Sequence, residues 1–502
     1  MKIFSTQQMK ELDRLTIQKK YSNSWELMEN ASTEIYKALL EQNISPKVPI
    51  LFMCGCGNNG GYGLAVARMM AQKYRVQVFL LQSENYSSDN IRNQELLAAT
   101  QTKIHFFELH DTLQLPNNAI YIDALFGSGL NRTLEPAWNN IFKQIRAAQP
   151  KKIFAIDMPS GLLDGFPMNE NATCLSADLV FTLQSPKLSL LLPQNQEYAK
   201  DFKVLEIGLD KESIAETPTN IYYIKEKFIK KLLKSPNVFA HKGTFGYVLI
   251  VGGNYGSIGA PILSTKAALK TGCGLVTCAV PKCGYEIVQA NFPEAMCIAD
   301  EETYWISKIP QASNYNAIAI GMGLGKNEAT KNALLSFLIS NPTIPLVLDA
   351  DALNILAETN DPFHYITKGS ILTPHPKELE RLIGTWANDY EKIEKVRIIV
   401  KQYQIIILIK GAFSTIICPD DNIYFNSTGN WGMATGGSGD VLSGMIASLL
   451  AQGYTPINAT TLGVYLHGLS GDIASSISHP HSLIASDIIE HIGNAYKQLD
   501  NL

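Results

Sequence analysis

Short apolar runs that alternate with helical patterns constrain the fold of this chain more than any other feature of its sequence. The runs of the first half occupy residues 48–54, 75–81, 103–107, 119–126, 151–157 and 177–183, and those of the second half occupy 246–253, 274–280, 317–323, 345–351, 369–374 and 405–411. Such runs are typical of strands that are buried on both faces of a parallel sheet. The pattern therefore predicts an α/β protein with mostly parallel, doubly wound sheets.

The chain is too long for one hydrophobic core. It has 502 residues, whereas single cores stop growing at about 250–300 residues. The polar stretch KESIAETPTN at 211–220 contains a proline and separates the two sets of apolar runs. We therefore expect two domains, at residues 1–215 and 220–502.

The composition excludes several classes of protein. The formal net charge is −4, and no basic run suggests a surface for nucleic acid. The N-terminus MKIFSTQQMKELDR lacks the apolar segment of a signal peptide, and no apolar stretch is long enough for a membrane helix. The eight cysteines match no C-x₂-C zinc spacing. We expect a cytoplasmic protein that binds neither nucleic acid nor membranes.

Three polar segments follow predicted strands in the N-terminal half. They are CGCGNNGGYGLAVAR at 54–68, ALFGSGLNR after Asp123, and AIDMPSGLLDG around Asp157. Ligands bind open α/β sheets outside the carboxyl ends of the strands, so Asn58, Asn59, Asp123, Asp157 and Ser160 are candidates for one pocket. The glycine-rich turn alone is weak evidence, because a tight strand-to-helix connection also needs glycines.

These motifs, together with LMENA at 27–31 and SPKLSLLLP at 185–193, resemble the NAD(P)H-hydrate epimerase domain over about residues 1–210. The resemblance implies a set of residues that bind the nucleotide substrate: Asn58, Asn59, Gly60, Gly61, Tyr62, Gly127, Ser128, Gly129, Leu130, Asn131, Arg132, Thr133 and Asp157. It also implies a potassium ion at Asn59, Asp123 and Ser160, and a catalytic role for Asp157. An acid–base group and oxygen ligands suit the epimerisation of a carbinolamine-like carbon.

One position departs from the epimerase motif N-N-G-G-D-G, since Tyr62 stands where that family has aspartate. We interpret Tyr62 as a tolerated substitution at the rim of the pocket. The alternatives are a weakened epimerase and a nucleotide-binding module without chemistry. The matching residues Asp123, Asp157 and Ser160 argue against the second alternative.

The C-terminal half carries a longer series of motifs, most of them at predicted strand ends. They are HKGTFGYVLIVGG at 241–253, SIGAPIL at 257–263, GMGLGKN at 321–327, LDADALN at 348–354, TPHPKELERL at 373–382, ILIKGAFST at 407–415 and NWGMATGGSGDVLSG at 430–444. Each has a simpler explanation by itself: Asp349 and Asp351 could cap a helix, His375 could stiffen a turn, and Lys410 could be a surface cation. Together they follow strands of one predicted sheet, where a nucleotide would bind.

The ordered series resembles the ADP/ATP-dependent NAD(P)H-hydrate dehydratases of the ribokinase-like superfamily over about residues 235–495, with Met322 where proline is usual. The resemblance implies that the hydrate contacts Ala260, Gly323, His375 and Asp440. It implies that the adenine nucleotide and its phosphates contact Lys410, Gly411, Ala412, Phe413, Ser414, Gly437, Ser438 and Gly439. Asp440 would be the catalytic base, and we expect it to be ionised because it lies at a helix N-terminus.

The order of the two halves resembles that of the bifunctional NAD(P)H-hydrate repair enzymes. The resemblance implies a Rossmann-like domain followed by a ribokinase-like α/β/α sandwich. Such an enzyme would interconvert the R and S hydrates and would dehydrate the S form with ADP or ATP and Mg²⁺. The bacterial type of fusion favours ADP, and we expect a homo-oligomer. A kinase for a vitamin-like alcohol, from the same superfamily, is the alternative.

Overall fold

The computed structural model describes residues 1–168, 172–341 and 343–500. The chain divides into two compact units, Lys2–Thr219 and Asn220–Leu502, and Met1 belongs to the second. Each unit has its own sheet. None of the helices in the described ranges is long and apolar enough to cross a membrane.

The N-terminal unit is built on a seven-stranded sheet. Its strands are β1 (Ile50–Cys54), β2 (Val76–Leu81), β3 (Ile104–Phe107), β4 (Ile120–Ala124), β5 (Lys152–Ile156), β6 (Leu179–Leu183) and β7 (Phe202–Leu205). Its helices are α1 (Thr6–Lys20), α2 (Ser24–Leu40), α3 (Asn58–Met70), α4 (Ser88–Ala98), α5 (Trp138–Ala147) and α6 (Lys211–Glu216). The order β3-β2-β1-β4-β5-β6-β7 is parallel at every pair, as the apolar runs predict.

Both faces of this sheet are covered, because side chains alternate along each strand. Ile50 and Phe52 of β1 pack into one core together with Leu12 of α1. Leu51 and Met53 pack into a second core, which also contains residues of α5. This double burial explains why the strands read as continuous apolar runs.

The first glycine-rich turn is more helical than its composition predicts. Helix α3 begins at Asn58, whereas the sequence pattern predicts a start near Gly63. The glycines therefore form the first turn of the helix, and the two asparagines lie at its N-terminus. Free backbone N–H groups at such a terminus favour anions.

The C-terminal unit is built on a ten-stranded sheet. Its strands are β8 (Ile221–Tyr223), β9 (Tyr247–Val251), β10 (Leu275–Val280), β11 (Met296–Ala299), β12 (Ala317–Ile320), β13 (Leu346–Leu348), β14 (Ile371–Leu372), β15 (Ile406–Ile409), β16 (Thr415–Ile417) and β17 (Ile423–Phe425). Its helices are α7 (Glu226–Lys230), α8 (Gly259–Lys270), α9 (Tyr285–Asn291), α10 (Glu328–Ser340), α11 (Ala350–Leu356), α12 (Pro376–Ile383), α13 (Asp389–Tyr403), α14 (Ser438–Ala451), α15 (Pro456–Ile477), α16 (Ala485–Glu490) and α17 (Ile492–Leu499).

The strand order in this unit is β11-β10-β9-β12-β13-β14-β15-β16-β17-β8. The pairs from β11 to β15 are parallel, and β16 is antiparallel to both of its neighbours. The six predicted strands correspond to β9, β10, β12, β13, β14 and β15, which lie next to one another in the sheet. Strands β8, β11, β16 and β17 were not predicted, because they are short and carry no long apolar run.

Candidate active sites

The polar loops of the N-terminal unit follow three adjacent strands. Strands β1, β4 and β5 are neighbours and run parallel, so their carboxyl ends meet at one edge of the sheet. A Cβ atom added at Gly127 would lie 2.9 Å from Asp157 Oδ2 and 3.1 Å from Asn59 Oδ1. Both oxygens lie beside Gly127, so the structure brings together the predicted residues Asn59, Gly127 and Asp157. Only glycine fits at position 127, because a side chain there would meet the two oxygens.

Asp123 and Ser160 form a second part of this edge. The Ser160 hydroxyl lies 2.5 Å from Asp123 Oδ1, and the Ser160 N–H donates to Asp123 Oδ2 at 2.7 Å. Burial raises the pKa of Asp123 to about 6, although the bonds from Ser160 oppose the shift. The side-chain nitrogen of Asn59 is buried and has no hydrogen-bond partner within the described residues. These groups supply the oxygen ligands that a hard cation takes.

Asp157 has a buried cation as its partner. Lys187 Nζ lies 2.5 Å from Asp157 Oδ1, and the lysine side chain is only 3% exposed. The Ser128 N–H donates to Asp157 Oδ2 at 2.8 Å. Burial alone would raise the pKa of Asp157, but Lys187 and Ser128 lower it below its usual value. Asp157 is therefore a carboxylate at neutral pH, oriented on both of its oxygens.

Lys187 belongs to the segment SPKLSLLLP, whose role the sequence does not reveal. The lysine also donates to Leu183 O at 2.9 Å, so it bridges the end of β6 and the loop after β5. A lysine between Pro186 and Leu188, in an apolar segment, is an unusual residue to bury without a charged partner. The charged residue within this apolar segment was the feature of the sequence that could have identified Lys187.

Tyr62 is half-buried. It packs against the core that contains α1 and β1. Burial raises the pKa of Tyr62 far above its usual value, and Asp13, Asp157 and Asp89 add to the shift. The phenol therefore stays neutral among carboxylates. Asp13 has a buried Oδ1 without a hydrogen-bond partner in the described chain, and burial raises its pKa to about 7 despite Lys187.

The remaining predicted epimerase residues surround this cluster. Gly60 and Gly61 are buried in the first turn of α3, and Leu130 is half-buried in the turn closed by its N–H to Gly127 O. The exposed residues are Asn58, Gly129, Asn131, Arg132 and Thr133. These exposed residues lie at the start of α3 and in the segment after β4.

In the C-terminal unit, five predicted motifs follow the parallel strands β9, β12, β13, β14 and β15. These strands are consecutive in the sheet, so the loops after them share one edge. Asp349 follows β13 directly, and Lys410 follows β15 directly. Lys410 Nζ lies 2.7 Å from Asp349 Oδ1, and both side chains are mostly buried. The simpler explanation of Lys410, as a surface cation, is therefore wrong.

Asp440 lies in the first turn of α14, as predicted, but its charge state differs from our expectation. Burial raises the pKa of Asp440 to about 7, and Asp349 adds to the shift while Lys410 opposes it. Partial burial, together with the neighbouring carboxylate of Asp349, thus outweighs the helix N-terminus that we expected to keep Asp440 ionised. A pKa near neutrality is the value that suits a general base.

Glu378 was not singled out from the sequence, although it lies in the quoted motif TPHPKELERL. It is 6% exposed, and it raises the pKa of both Lys410 and Asp440. Its carboxylate accepts from the His375 N–H at 2.8 Å. His375 Nδ1 in turn accepts from the N–H groups of Lys377 and Glu378, so the histidine caps α12. His375, which could have stiffened a turn, is therefore a helix cap, and its Nε2 lies 3.4 Å from Glu378 Oε1.

Two predicted hydrate contacts lie side by side. Gly323 has a φ of +61°, and a Cβ atom there would lie 3.2 Å from Ala260 Cβ and 2.7 Å from Ser257 O. Helix α8, which carries Ala260, also reaches the base, since Ser264 Oγ donates to Asp440 O at 2.5 Å. The position of Gly323 tolerates no side chain, in agreement with a surface built for close approach of a ligand.

The nucleotide-binding residues form two loops. Ser414 Oγ donates to Gly411 O at 3.1 Å, which closes the first loop, where Gly411 and Ala412 are exposed and Phe413 is half-buried. The second loop leads into α14 through Gly437, whose φ is +88°. A Cβ atom at Gly439 would lie 3.2 Å from Lys410 Nζ, so the two loops meet there.

His467 is hydrogen-bonded to the second loop. Its Nε2–H donates to Ser438 O at 3.0 Å. Burial lowers the pKa of His467 to about 4, so the imidazole is neutral at neutral pH. The sequence did not single out this histidine, because it lies inside the apolar pattern of α15.

Two family models match the chain. The family described as YjeF-related protein N-terminus matches residues 24–189, and the family described as NAD(P)H-hydrate dehydratase matches residues 248–494. Relatives include the bifunctional NAD(P)H-hydrate repair enzyme of Moorella thermoacetica, which is 33% identical over 100% of this chain and 97% of its own. The enzyme of that name from Coxiella burnetii is 31% identical over 98% of each chain.

Two solved structures are similar to part of the chain. One is the ADP/ATP-dependent NAD(P)H-hydrate dehydratase from Bacillus subtilis co-crystallised with ATP and Mg²⁺, with a TM-score of 0.50 and 29% identity over 56% of this chain and 100% of that chain. The other is a ribokinase-like superfamily protein from Enterococcus faecalis, with a TM-score of 0.51 and 26% identity over 57% and 99%. The predicted ribokinase-like fold is confirmed. The chain therefore belongs to the bifunctional NAD(P)H-hydrate repair enzymes.

Proposed function

We propose that the N-terminal unit interconverts the R and S forms of NAD(P)H hydrate and that the C-terminal unit dehydrates the S form with ADP or ATP. The observation that carries the proposal is the meeting of Lys410, Gly439 and Asp440 at one strand-end edge, because it joins a phosphate-binding cation to a base. The names of the relatives and of the Bacillus subtilis structure support the same chemistry.

In the dehydration, Asp440 accepts the proton of the hydrate hydroxyl while the hydroxyl oxygen attacks the terminal phosphoryl group of the nucleotide. The P–O bond to the rest of the nucleotide breaks, and ADP leaves from ATP, or AMP from ADP. The backbone N–H groups of Gly437, Ser438 and Gly439 and the N-terminus of α14 stabilise the transferring group. The ring nitrogen lone pair then expels phosphate to leave an iminium ion, and loss of a proton from C5 regenerates the dihydropyridine. Asp440 is suited to this step, because its pKa of about 7 leaves much of it deprotonated at neutral pH.

Bound Mg²⁺ would neutralise the phosphates of the nucleotide. Within the described residues, no group of three or more His, Cys, Asp or Glu side chains is arranged to hold a metal ion. The carboxylate of Asp349 already binds Lys410 and Ser443. The residues therefore fit a magnesium ion that arrives with the nucleotide and takes phosphate oxygens and water as its main ligands.

In the epimerisation, Asp157 takes the proton of the C6 hydroxyl and passes it to the ring nitrogen as the C6–N bond opens to an aldehyde. The nitrogen then adds to the other face of the aldehyde, and Asp157 returns the proton to the oxygen. Its ion pair with Lys187 keeps it in the carboxylate form, and the Ser128 N–H orients it. The loops that carry Asn59 and Gly127 would hold the nucleotide beside it. The burial of all these groups excludes water from the proton transfer, which strengthens each charge interaction.

A potassium ion would be held by Asn59, Asp123 and Ser160. The buried carboxylate of Asp123 and the side-chain oxygen of Asn59, which faces Gly127, support this assignment. The ion would supply a positive charge that keeps Asp123 ionised and orders the loops after β4 and β5. We also propose that the enzyme acts in the cytoplasm, since all eight cysteines are free, and that it forms a homo-oligomer, which size-exclusion chromatography would test.

The test is an assay of racemic hydrate with ADP and, separately, with ATP, followed by the recovery of dihydronicotinamide absorbance. Complete conversion with either nucleotide supports both activities, because the R form must be epimerised before it is dehydrated. Conversion that stops at half supports only the dehydratase. A stable phosphorylated product without recovery of absorbance would instead identify a kinase.

A further inference from the structure

We infer that Asp349 is a positioning residue of the dehydratase, which couples the nucleotide-binding Lys410 to the helix that carries the base. The inference rests on the proposed roles of Lys410 and Asp440. Asp349 belongs to the motif LDADALN, for which helix capping was the simplest explanation. The contacts of its two carboxylate oxygens go beyond a cap.

The two oxygens of Asp349 bind different elements of the fold. Oδ1 accepts from Lys410 Nζ at 2.7 Å, at the end of β15. Oδ2 accepts from the Ser443 hydroxyl at 2.6 Å, in the second turn of α14. Asp349 itself is only 1% exposed. A buried carboxylate with both oxygens bound this way fixes the distance between the strand end and the helix.

The contacts close into a ring around the phosphate-binding loop. Ser443 Oγ lies 3.1 Å from Gly439 O, and the Cβ position of Gly439 lies 3.2 Å from Lys410 Nζ. Lys410, Asp349, Ser443 and Gly439 therefore hold one another. Displacing any one of them would move the ammonium group relative to the N–H groups of the loop.

The backbone next to Asp349 supports a role other than capping. An ordinary N-cap side chain accepts from the second or third helical N–H, whereas Asp349 accepts from the adjacent Ala350 N–H at 2.9 Å. Ala350 has a φ of +47°, a left-handed conformation that is unfavourable for alanine. Strained residues of this kind are found where the surrounding structure holds a functional group in place.

The charges around Asp349 determine what it does to the base. The groups that act on Asp440 are Asp349, Lys410, Asp351 and Glu378, so several carboxylates share one cation. Asp349 raises the pKa of Asp440, and Lys410 lowers it. Since the active form of Asp440 is the carboxylate, removing the charge of Asp349 should lower the pKa of Asp440. The acid limb of the dehydration rate should then move to lower pH.

The experiment compares three variants of the full chain, each by its pH profile of kcat/KM and by its KM for the nucleotide. Asp349→Asn should move the acid limb down by about one pH unit and should raise the nucleotide KM about tenfold, because Lys410 loses a charged hydrogen bond. Ser443→Ala keeps the charge, so it should raise the nucleotide KM and leave the acid limb in place. Ser443→Ala also serves if Asp349→Asn does not fold.

Asp300→Asn is the matched control. Asp300 is a carboxylate of the same unit that accepts from the N–H and the hydroxyl of Ser307, at 2.8 and 2.7 Å. It follows the edge strand β11, and β10, β9 and β12 separate β11 from β13 in the sheet. The variant should lower the melting temperature without changing the acid limb or the nucleotide KM. An Asp349→Asn enzyme that behaves like Asp300→Asn would overturn the inference, and so would an unchanged nucleotide KM in Ser443→Ala. If the wild type dehydrates nothing, the proposed function fails instead, and calorimetric binding of ADP to the same variants still tests the coupling of Lys410.

Discussion

The proposed catalytic carboxylates of the two units have pKa values that are shifted in opposite directions. In the N-terminal unit, Lys187 binds Asp157 directly at 2.5 Å, and the pKa of Asp157 falls below its usual value. In the C-terminal unit, Lys410 binds Asp349 instead, and the pKa of the base Asp440 rises to about 7. Each unit thus has one buried lysine at its site, but the lysine is paired with the proposed base in only one of them.

The difference follows from what each lysine has to do. The side chain of Lys187 is only 3% exposed, so its positive charge stabilises the carboxylate of Asp157. Lys410 is 20% exposed and lies beside Gly439, where a phosphate would bind, so its charge must stay available to the nucleotide. Pairing it with Asp349 holds it in place and leaves Asp440 with a higher proton affinity. A base with a pKa near 7 is better matched to abstracting a hydroxyl proton than a strongly acidic carboxylate.

The largest effect is expected from Asp440→Asn. The amide cannot accept the hydroxyl proton, so dehydration should fall by several powers of ten, of the order seen when other catalytic groups are removed. Epimerisation, measured by NMR on the purified hydrates, should not change. Dehydration at an undiminished rate would show that Asp440 is not the base. The comparison of two catalytic carboxylates, Asp157 and Asp440, would then fail.

Lys187→Met should have the next largest effect. Without its cation, the carboxylate of Asp157 is buried alone, so its pKa should rise and epimerisation at pH 7 should fall by about 10- to 100-fold. The acid limb of the epimerase should move to higher pH. Lys200→Met is the control, because Lys200 is 66% exposed in its pair with Asp178 and exposed pairs contribute little. Equal losses in the two variants would contradict a specific role for Lys187.

Ser160→Ala should weaken the response to potassium. The variant loses the hydroxyl that lies 2.5 Å from Asp123 Oδ1, so the potassium concentration for half-maximal epimerisation should rise about tenfold. Titration of the rate with KCl at constant ionic strength measures it, and dehydration by the same sample is the internal control. An unchanged half-maximal concentration would separate Ser160 from the proposed ion.

The smallest effect is expected from Tyr62→Phe. The phenol is neutral and its ring packs against the core, so removing the hydroxyl changes no charge beside Asp157. Epimerisation should stay within about twofold of the wild type. Tyr62→Asp, which restores the residue of the family motif, adds a carboxylate near Asp157 and should move the acid limb of the epimerase upward. A larger loss in Tyr62→Phe than in Tyr62→Asp would mean that the tyrosine hydroxyl takes part in the reaction.

The sequence predicts the positions of both sites well, because their residues follow buried strands whose apolar runs are unmistakable. Asp123, Asp157, Asp349 and Lys410 all lie where the strand pattern places them. The partners of these residues could not be predicted in the same way. Lys187 and Ser443 reach the sites only through tertiary packing, and nothing local in the sequence pairs either of them with an aspartate.

The charge state of Asp440 could not be predicted from the local sequence either. Its place in the first turn of a helix is a local property, and the sequence predicts it correctly. Its pKa depends on burial and on Asp349, which is 91 positions earlier in the chain (440 − 349). Strand β8 was missed for a related reason, since its three residues are a strand only because they pair with β17, on the far side of the unit's sequence.

The most direct test of the comparison is to measure the pH dependence of both activities in one sample of the wild-type enzyme at saturating potassium. Epimerisation, carried by a carboxylate with a lowered pKa, should keep its full rate into the acid range. Dehydration should lose half of its kcat/KM near pH 7, where Asp440 takes up a proton. Acid limbs that coincide, or a dehydratase that keeps its full rate at pH 5, would contradict the opposite treatment of the two carboxylates.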